Sequence, residues 1–503
     1  MAMKIDRRTF LQASLSSLAY FSTAATAPLW LSKSARALSK NLTGDKVLVI
    51  VQQSGGNDGL NTVIPYTDSL YLGTDLRPTL HITSGFDATI LDDQNALHPK
   101  LSRLTNWYKN GSVAVVNNVG YPNPNLSHFL ATDYWEMGTS PGASLSTLQG
   151  WVSRYFDNQC GGMPPESINA LTMLAAGKST VPLTLRTSAN YLPPAVSNFS
   201  SYVINVPSGD QGTHRLSYIE AMNNTTAVTN QLDFLQRSSV TAQASVEDIA
   251  TASQQPVINA YPSGSLGTGL DIVSKVIRAG FPTKIFYVSQ GGYDTHANQI
   301  ANGDPINGGD HATLLDTFDQ ALDAFLLDME ASGNLDRVVL MTFSEFGRRV
   351  EENGSSGTDH GAANCLFVMG GSTIGGIYGG QPDLETLQGG NLVHQVDFRS
   401  VYSRVLQDWL AVTPEPIFGT SDFNDPVLDI QGGMAKIPIF EVETPPPPLV
   451  GDVNADDSVD AIDIQYVING ALGQTVPVDT DINDDGDTNA VDVQTVINAA
   501  LGT

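Results

Sequence analysis

Cysteine is nearly absent: two in 503 residues, Cys160 and Cys365. That excludes a disulfide-stapled scaffold and leaves no metal-type Cys spacing. The two thiols admit one bridge after export or two free, partly buried side chains. Basic residues are scarce as well, 25 Lys and Arg against 52 Asp and Glu, for a net charge of −27. Nucleic acid is thereby excluded as a partner, because its phosphates need Lys and Arg. The acidic surplus suits a soluble protein among divalent cations. Long apolar runs are missing too, so no membrane span is expected in the mature chain. What is present is 41% hydrophobic residues, enough for a buried core, in a chain too long for one typical domain.

The first 37 residues read as an address. Asp6-Arg7-Arg8-Thr9-Phe10-Leu11 precedes a modestly apolar stretch of Ala, Ser and Leu and a small-x-small site, Ala35-Arg36-Ala37. Paired arginines before a weak apolar region resemble a twin-arginine signal. Residues 1–37 are therefore set apart from the fold, and the protein is expected to be exported already folded, to the periplasm or beyond the cell.

Five β-branched or apolar runs follow, each ending in a polar turn: Lys46 to Gln52, Ser112 to Asn117, Lys284 to Ser289, Arg337 to Thr342 and Cys365 to Met369. Unbroken apolar runs of this length are expected of strands buried on both faces. Between them, Leu101 to Lys109 and His311 to Met329 show helical periodicity. Alternating strands and helices predict an α/β domain over residues 38–441, a mainly parallel sheet flanked by helices, whose ligands gather beyond the carboxyl ends of the strands. Residues 160–260, rich in Ser, Thr, Asn and Pro, are expected to form an inserted cap or irregular helices. Residues 442–450, with four consecutive prolines, form a stiff linker.

Residues 451–503 hold eleven Asp and no Lys or Arg. Asp452, Asn454, Asp456, Asp460 and Asp463 stand at positions 1, 3, 5, 9 and 12 of one loop. Asp481, Asn483, Asp485, Asn489 and Asp492 repeat that spacing, and each loop leads into an apolar helical stretch. Alternate oxygen side chains fold six or more ligands around one calcium ion. An acidic solvated tail would not repeat the spacing with apolar helices behind it. Two such units resemble a type I dockerin. The resemblance implies two Ca2+ ions, backbone carbonyls of Ser458 and Asp487 as the seventh-position ligands, a small all-α domain and a cohesin-type partner. Asp457 stands where Gly makes the sharp turn in such loops, which weakens the first site.

Gly291-Gly292-Tyr293-Asp294-Thr295-His296, Ser344-Glu345-Phe346-Gly347-Arg348-Arg349 and Thr358-Asp359-His360-Gly361 concentrate Asp, Glu and His in the core. Of eight histidines, His128, His296 and His360 sit in Ser-His, Asp-x-His and Asp-His contexts. Such donors suit zinc, manganese and similar ions. Together with the turn Gly55-Gly56-Asn57-Asp58-Gly59, Leu97-His98-Pro99 and Tyr121 to Phe129, these segments resemble the bacterial family known as domain of unknown function 1501, placed with the alkaline phosphatase-like superfamily. The resemblance implies an alkaline phosphatase-like fold over roughly residues 45–435 and metal-dependent hydrolysis of phosphate or sulfate esters. It implies one metal on Asp294, His296 and His360 and a second on Asp58 and Glu345. Ser127 would be the bridging nucleophile, Arg348 would stabilise the oxyanion, and Asp359 would be a ligand or orient His360. The chain departs from that pattern in two places. Asp294-x-His296 replaces Asp-x-x-x-His, and Glu345-Phe346 replaces an Asp-His pair, so the second site lacks a ligand or the centre holds one ion. No Cys-x-Pro-x-Arg occurs, which argues against a formylglycine sulfatase.

Structural roles compete for several of these residues: Asp58 or Ser127 as helix caps, Glu345 and Arg348 as a local ion pair. Three functions follow: an exported ester hydrolase acting on extracellular polysaccharide, a non-catalytic surface or scaffold protein, and a subunit of a polysaccharide-degrading assembly.

Overall fold

The computed structural model describes residues 46–139, 141, 149–159, 171–186, 193–204, 208–223, 225, 229–418, 439–440, 451–453, 459, 461–474, 476, 478–483 and 485–501. The expected signal, Cys160, the linker and the calcium-loop residues Asn454, Asp456, Ser458 and Asp460 lie outside them. The chain divides into two units, residues 1–440 and 441–503.

In the larger unit the strands of the central sheet are Val47–Ser54 (β1), Val113–Gly120 (β2), Met173–Ala176 (β3), Ala195–Val196 (β4), Ile285–Gly291 (β5), Val338–Phe343 (β6), Asn364–Gly370 (β7), Gly376–Tyr378 (β8) and Val396–Asp397 (β9). They run in the order β8-β2-β7-β6-β1-β5-β3-β4, with β9 also on β2. β1 lies between two parallel partners, aligning Ile50 with Tyr287 of β5 and with Met341 of β6. All five expected strands are present. Residues 160–260, expected as an inserted cap or irregular helices, supply β3 and β4 to the sheet and two regular helices, Asp210–Asn223 and Asn230–Ser253.

β7 runs antiparallel to both β6 and β2. The reason lies in the connection. A parallel return needs a crossover, usually a helix, and residues 344–363 contain only a two-residue ribbon, Gly347–Arg348 against His360–Gly361. The chain therefore turns back beside the strand it has left, and that helix-free return carries much of the candidate site.

Alternation along β1 divides the core. Val47, Val49 and Val51 enter the layer that also holds Leu104 and Trp107 of Ser102–Lys109 (α1) and Leu315, Phe318, Leu322 and Phe325 of Asp310–Ala331. Leu48 and Ile50 enter the opposite layer, with Tyr134 and Trp135 of His128–Met137 (α2) and Phe398, Val401 and Tyr402 of Phe398–Arg404. Helices thus cover both faces, and a buried Leu or Phe contributes about 2 kcal/mol on either. The free thiol of Cys365 is buried in the first layer, and burial pushes its pKa up to about 12.

The turn after β1 is held by an ion pair. Asp58 and Arg77 are each 1% exposed, and Arg77 donates to both carboxylate oxygens at 2.7 and 3.0 Å. Burial alone would raise the Asp58 pKa, but the charge and hydrogen bonds of Arg77 bring it below the ordinary value.

In the smaller unit the described residues form helices Ala461–Ala471 and Ala490–Leu501. Val467 and Val496 are buried, as are Asp463 and Asp492. Asp463 accepts a hydrogen bond from the Val453 amide at 3.0 Å, and Asp492 accepts from the Ile482 amide at 2.9 Å. The two helices thus repeat one contact, an Asp of the first turn accepting from an amide ten residues earlier.

Removing one partner of a buried pair leaves an uncompensated charge. Asp58→Asn should therefore lower stability by about 3 kcal/mol at pH 7, seen as a lower urea midpoint. Because the folded pKa lies below the unfolded one, the wild-type advantage is full above about pH 4 and fades as pH falls through the folded value. A midpoint unchanged at pH 7 would contradict this.

Candidate metal centre

The site lies beyond the carboxyl ends of β1, β5 and β6. Gly55 and Gly56, at φ +125 and +81, let the loops close together. A Cβ on Gly55 would lie 2.4 Å from the Asp294 amide, and one on Gly56 would lie 2.3 Å from the Phe346 ring. Asp294 follows β5 by three residues, Glu345 follows β6 by two, and His360 stands in the short ribbon. His128 is the first residue of α2. Its approach is set by Asn125, whose amide donates to the Tyr121 hydroxyl at 3.1 Å and whose side chain accepts from the Ser127 amide at 2.8 Å.

Three imidazoles meet one carboxylate. Nε2 of His296 and Nε2 of His360 each lie 3.2 Å from Asp294 Oδ1, and His128 Nε2 lies 3.4 Å from Asp294 Oδ2. His128, Asp294 and His360 each offer a ligand atom within 4.8 Å of the other two. The His296 and His360 Nε2 atoms are 2.9 Å apart.

The far nitrogen of each ring is anchored. His128 Nδ1 is 2.9 Å from Glu345 Oε1, His296 Nδ1 is 3.2 Å from Asp359 Oδ1, and His360 Nδ1 is 2.8 Å from the Leu126 carbonyl. Carboxylates and carbonyls accept, so each Nδ1 donates and each ring turns its Nε2 toward the cluster. Lone pairs facing one another beside a carboxylate repel unless a cation lies among them. That donor set fits a divalent ion with His and Asp ligands, with the carboxylate–histidine support such ligands have.

Electrostatics agree. Partial burial disfavours the ionised form of Asp294, but the hydrogen bond and charge of Arg348 bring its pKa down to about 2. Burial lowers the pKa of His360, with the Arg348 charge acting in the same direction, which favours the neutral ligand form. Asp359 is held below the ordinary range by the hydrogen bond from Asn353, with His296 and Arg349 contributing.

Of the residues expected from sequence, Asp294, His296 and His360 come together. Asp359 supports His296 rather than His360. Asp58 is not brought to the cluster: its oxygens are taken by Arg77 and by Gln299, whose amide donates at 2.5 Å. Glu345 reaches the cluster only through His128, and its Oε1 also accepts from the Gly55 amide at 2.8 Å. Arg348 is buried, not turned toward a substrate. Its nitrogens donate to the carbonyls of Gly55, Gly56, Tyr293 and Thr358 and, at 2.7 Å, to Asp294 Oδ1. Ser127 is exposed at the N-cap of α2, its hydroxyl making no capping bond. His128 is the member of the cluster that the sequence did not single out as a candidate ligand. Its Ser-His context marked it, but the role was given to the serine beside it.

Residues 117–406 match the family described as protein of unknown function (DUF1501). The chain belongs to this family. Residues 450–501 match the dockerin type I domain, so this DUF1501 protein carries a C-terminal dockerin domain. No curated protein matches the chain. Loosely similar solved structures include a protein in the alkaline phosphatase superfamily from Vibrio parahaemolyticus, at 10% identity and TM-score 0.28, covering 69% of each chain. Another is the C-terminal periplasmic domain of EcEptC from Escherichia coli in complex with Zn, at 13% identity and TM-score 0.29, covering 66% of this chain and 74% of that one. A third is Ps i-CgsB in complex with k-i-k-neocarrahexaose, at 10% identity and TM-score 0.31, covering 73% of this chain and 72% of that one. The architecture of the DUF1501 domain stands on its own sheet order.

Side-chain nitrogen NMR of the zinc-loaded protein should show His128, His296 and His360 protonated at Nδ1 with no proton on Nε2. Protonation at Nε2 of two of the three would contradict the anchoring described.

Proposed function

We propose that this DUF1501 protein is an exported metal-dependent hydrolase of phosphate or sulfate esters, acting on extracellular polysaccharide. The observation that carries this reading is the convergence of three anchored Nε2 atoms on the Asp294 carboxylate. His128, Asp294, His296 and His360 would hold the ion, zinc or manganese by donor type. When bound, such an ion polarises an ester oxygen and activates the attacking oxygen.

The chain's own residues do the rest. Arg348 fixes Asp294 in its ionised form. Glu345, Asp359 and the Leu126 carbonyl hold the three rings in one tautomer. Ser127, exposed one residue before His128 and free of a capping bond, offers its hydroxyl as the nucleophile. Asp294, His296 and His128 are 47, 43 and 34% exposed, so the reacting group is reached from solvent without a deep channel. That accessibility suits an ester carried on a polymer. Export by the twin-arginine route fits a protein whose centre is loaded during folding.

A second reading comes from the dockerin domain, whose repeated Asp and Asn spacing suits calcium. Through residues 451–503 the protein would join a cohesin-type partner, and with a silent core it would be a scaffold or surface protein.

Purified full-length protein should contain a transition metal and turn over aryl phosphate or aryl sulfate. His296→Ala and His360→Ala should each lower turnover at least about 100-fold, and Ser127→Ala by a similar factor. Metal-free protein, or turnover unchanged in both histidine variants, would refute the hydrolase. For the dockerin, a cohesin-type domain should be retained on immobilised protein in calcium and released by EGTA. Retention insensitive to EGTA, or none in calcium, would refute docking.

A further inference from the structure

The arrangement of two metals implied by resemblance does not fit this chain. We infer that the centre takes a single ion, and that the buried Arg348 guanidinium supplies the second positive charge at Asp294. This rests on the reading of the cluster as a metal site.

Three observations carry it. First, the carboxylates expected to hold the other ion are committed elsewhere. Asp58 is in a bidentate pair with Arg77, both 1% exposed, and also accepts from Gln299. Glu345 Oε1 serves His128 Nδ1 and the Gly55 amide. Its Oε2 is buried without a hydrogen-bond partner, but one carboxylate oxygen does not make a divalent site, which takes several ligands.

Second, a cation already occupies the oxygen-lined space beside Asp294. Four backbone carbonyls, of Gly55, Gly56, Tyr293 and Thr358, and Asp294 Oδ1 surround the Arg348 guanidinium. Carbonyls and a carboxylate are what a hard cation would collect. Here they are filled by a group that does not lose its charge in proteins. Its side chain is fully buried, so it cannot swing out to admit an ion.

Third, the ligand atoms of His128, Asp294 and His360 lie within 4.8 Å of one another, and His296 Nε2 adjoins them, 2.9 Å from that of His360 and 3.2 Å from Asp294 Oδ1, which makes one donor set for a single ion. The role of Glu345 then changes. It is a positioning residue that holds His128 through Nδ1, and it acts on metal affinity rather than on the number of ions.

Full-length protein stripped of metal with a chelator, its calcium loops then resaturated with CaCl2, and titrated with Zn2+ in a calorimeter, should bind one Zn2+ per chain. Glu345→Gln should weaken that binding about 10–100-fold without changing the stoichiometry, as loss of a supporting carboxylate does. His128→Ala should weaken it by at least as much, with far-ultraviolet circular dichroism reporting that both variants fold. Two Zn2+ per chain would overturn the single-ion inference while leaving the metal reading intact, as would Glu345→Gln removing one of two ions. His128→Ala binding as tightly as wild type would overturn its place as a ligand. No Zn2+ bound by the wild type would overturn both the inference and the metal reading.

Discussion

The candidate site depends on one ion pair, the buried Arg348 with the half-exposed Asp294. Arg348 belongs to the short return after β6, and Asp294 belongs to the turn after β5. By donating also to the Gly55 and Gly56 carbonyls, the guanidinium binds the turn after β1 to both. Three neighbouring strand ends are thereby fixed to one another through a single side chain. A buried charge without such partners would be strongly disfavoured, and here nearly every donor has an acceptor. The pair keeps Asp294 ionised and stationary, and three histidines from distant parts of the chain are arranged around that carboxylate.

The anchoring of the rings is distributed in the same way. One ring is held by a buried carboxylate, one by an exposed carboxylate and one by a backbone carbonyl. Each anchor comes from a segment other than that of the histidine it holds: Glu345 for His128, Asp359 for His296, Leu126 for His360. Asn353 ties two of the segments further, donating to the His296 carbonyl at 2.8 Å and to Asp359 at 3.2 Å. The centre is therefore a product of tertiary packing, and the turn glycines are needed because the loops approach more closely than a Cβ would allow.

Much of this was legible in the amino-acid sequence. The five long strands were readable because burial on both faces demands unbroken apolar runs. His296 and His360 were readable because an Asp-x-His and an Asp-His in polar turns have few structural uses. What was not legible was set by long-range geometry. β3, Met-Leu-Ala-Ala, and the two-residue β4 are too short and too weakly β-branched to stand out from a Ser- and Thr-rich stretch. Arg77 lies nineteen residues from Asp58 and carries no local sign of the pairing. Which residue of the Ser127-His128 pair faces the cluster depends on where α2 begins. The commitment of Glu345 and Arg348 to inner support depends on which side of a two-residue ribbon each occupies. Residue types were enough to identify the chemistry, while the division of roles among them required coordinates.

The central claim is that His128, Asp294, His296 and His360 share one cation. Anomalous scattering from zinc-soaked crystals tests it most directly. The account predicts a single core peak at about 2.0–2.1 Å from the three Nε2 atoms and a similar distance from an Asp294 oxygen. An empty cluster, or a peak bound by Asp58 and Glu345, would contradict it.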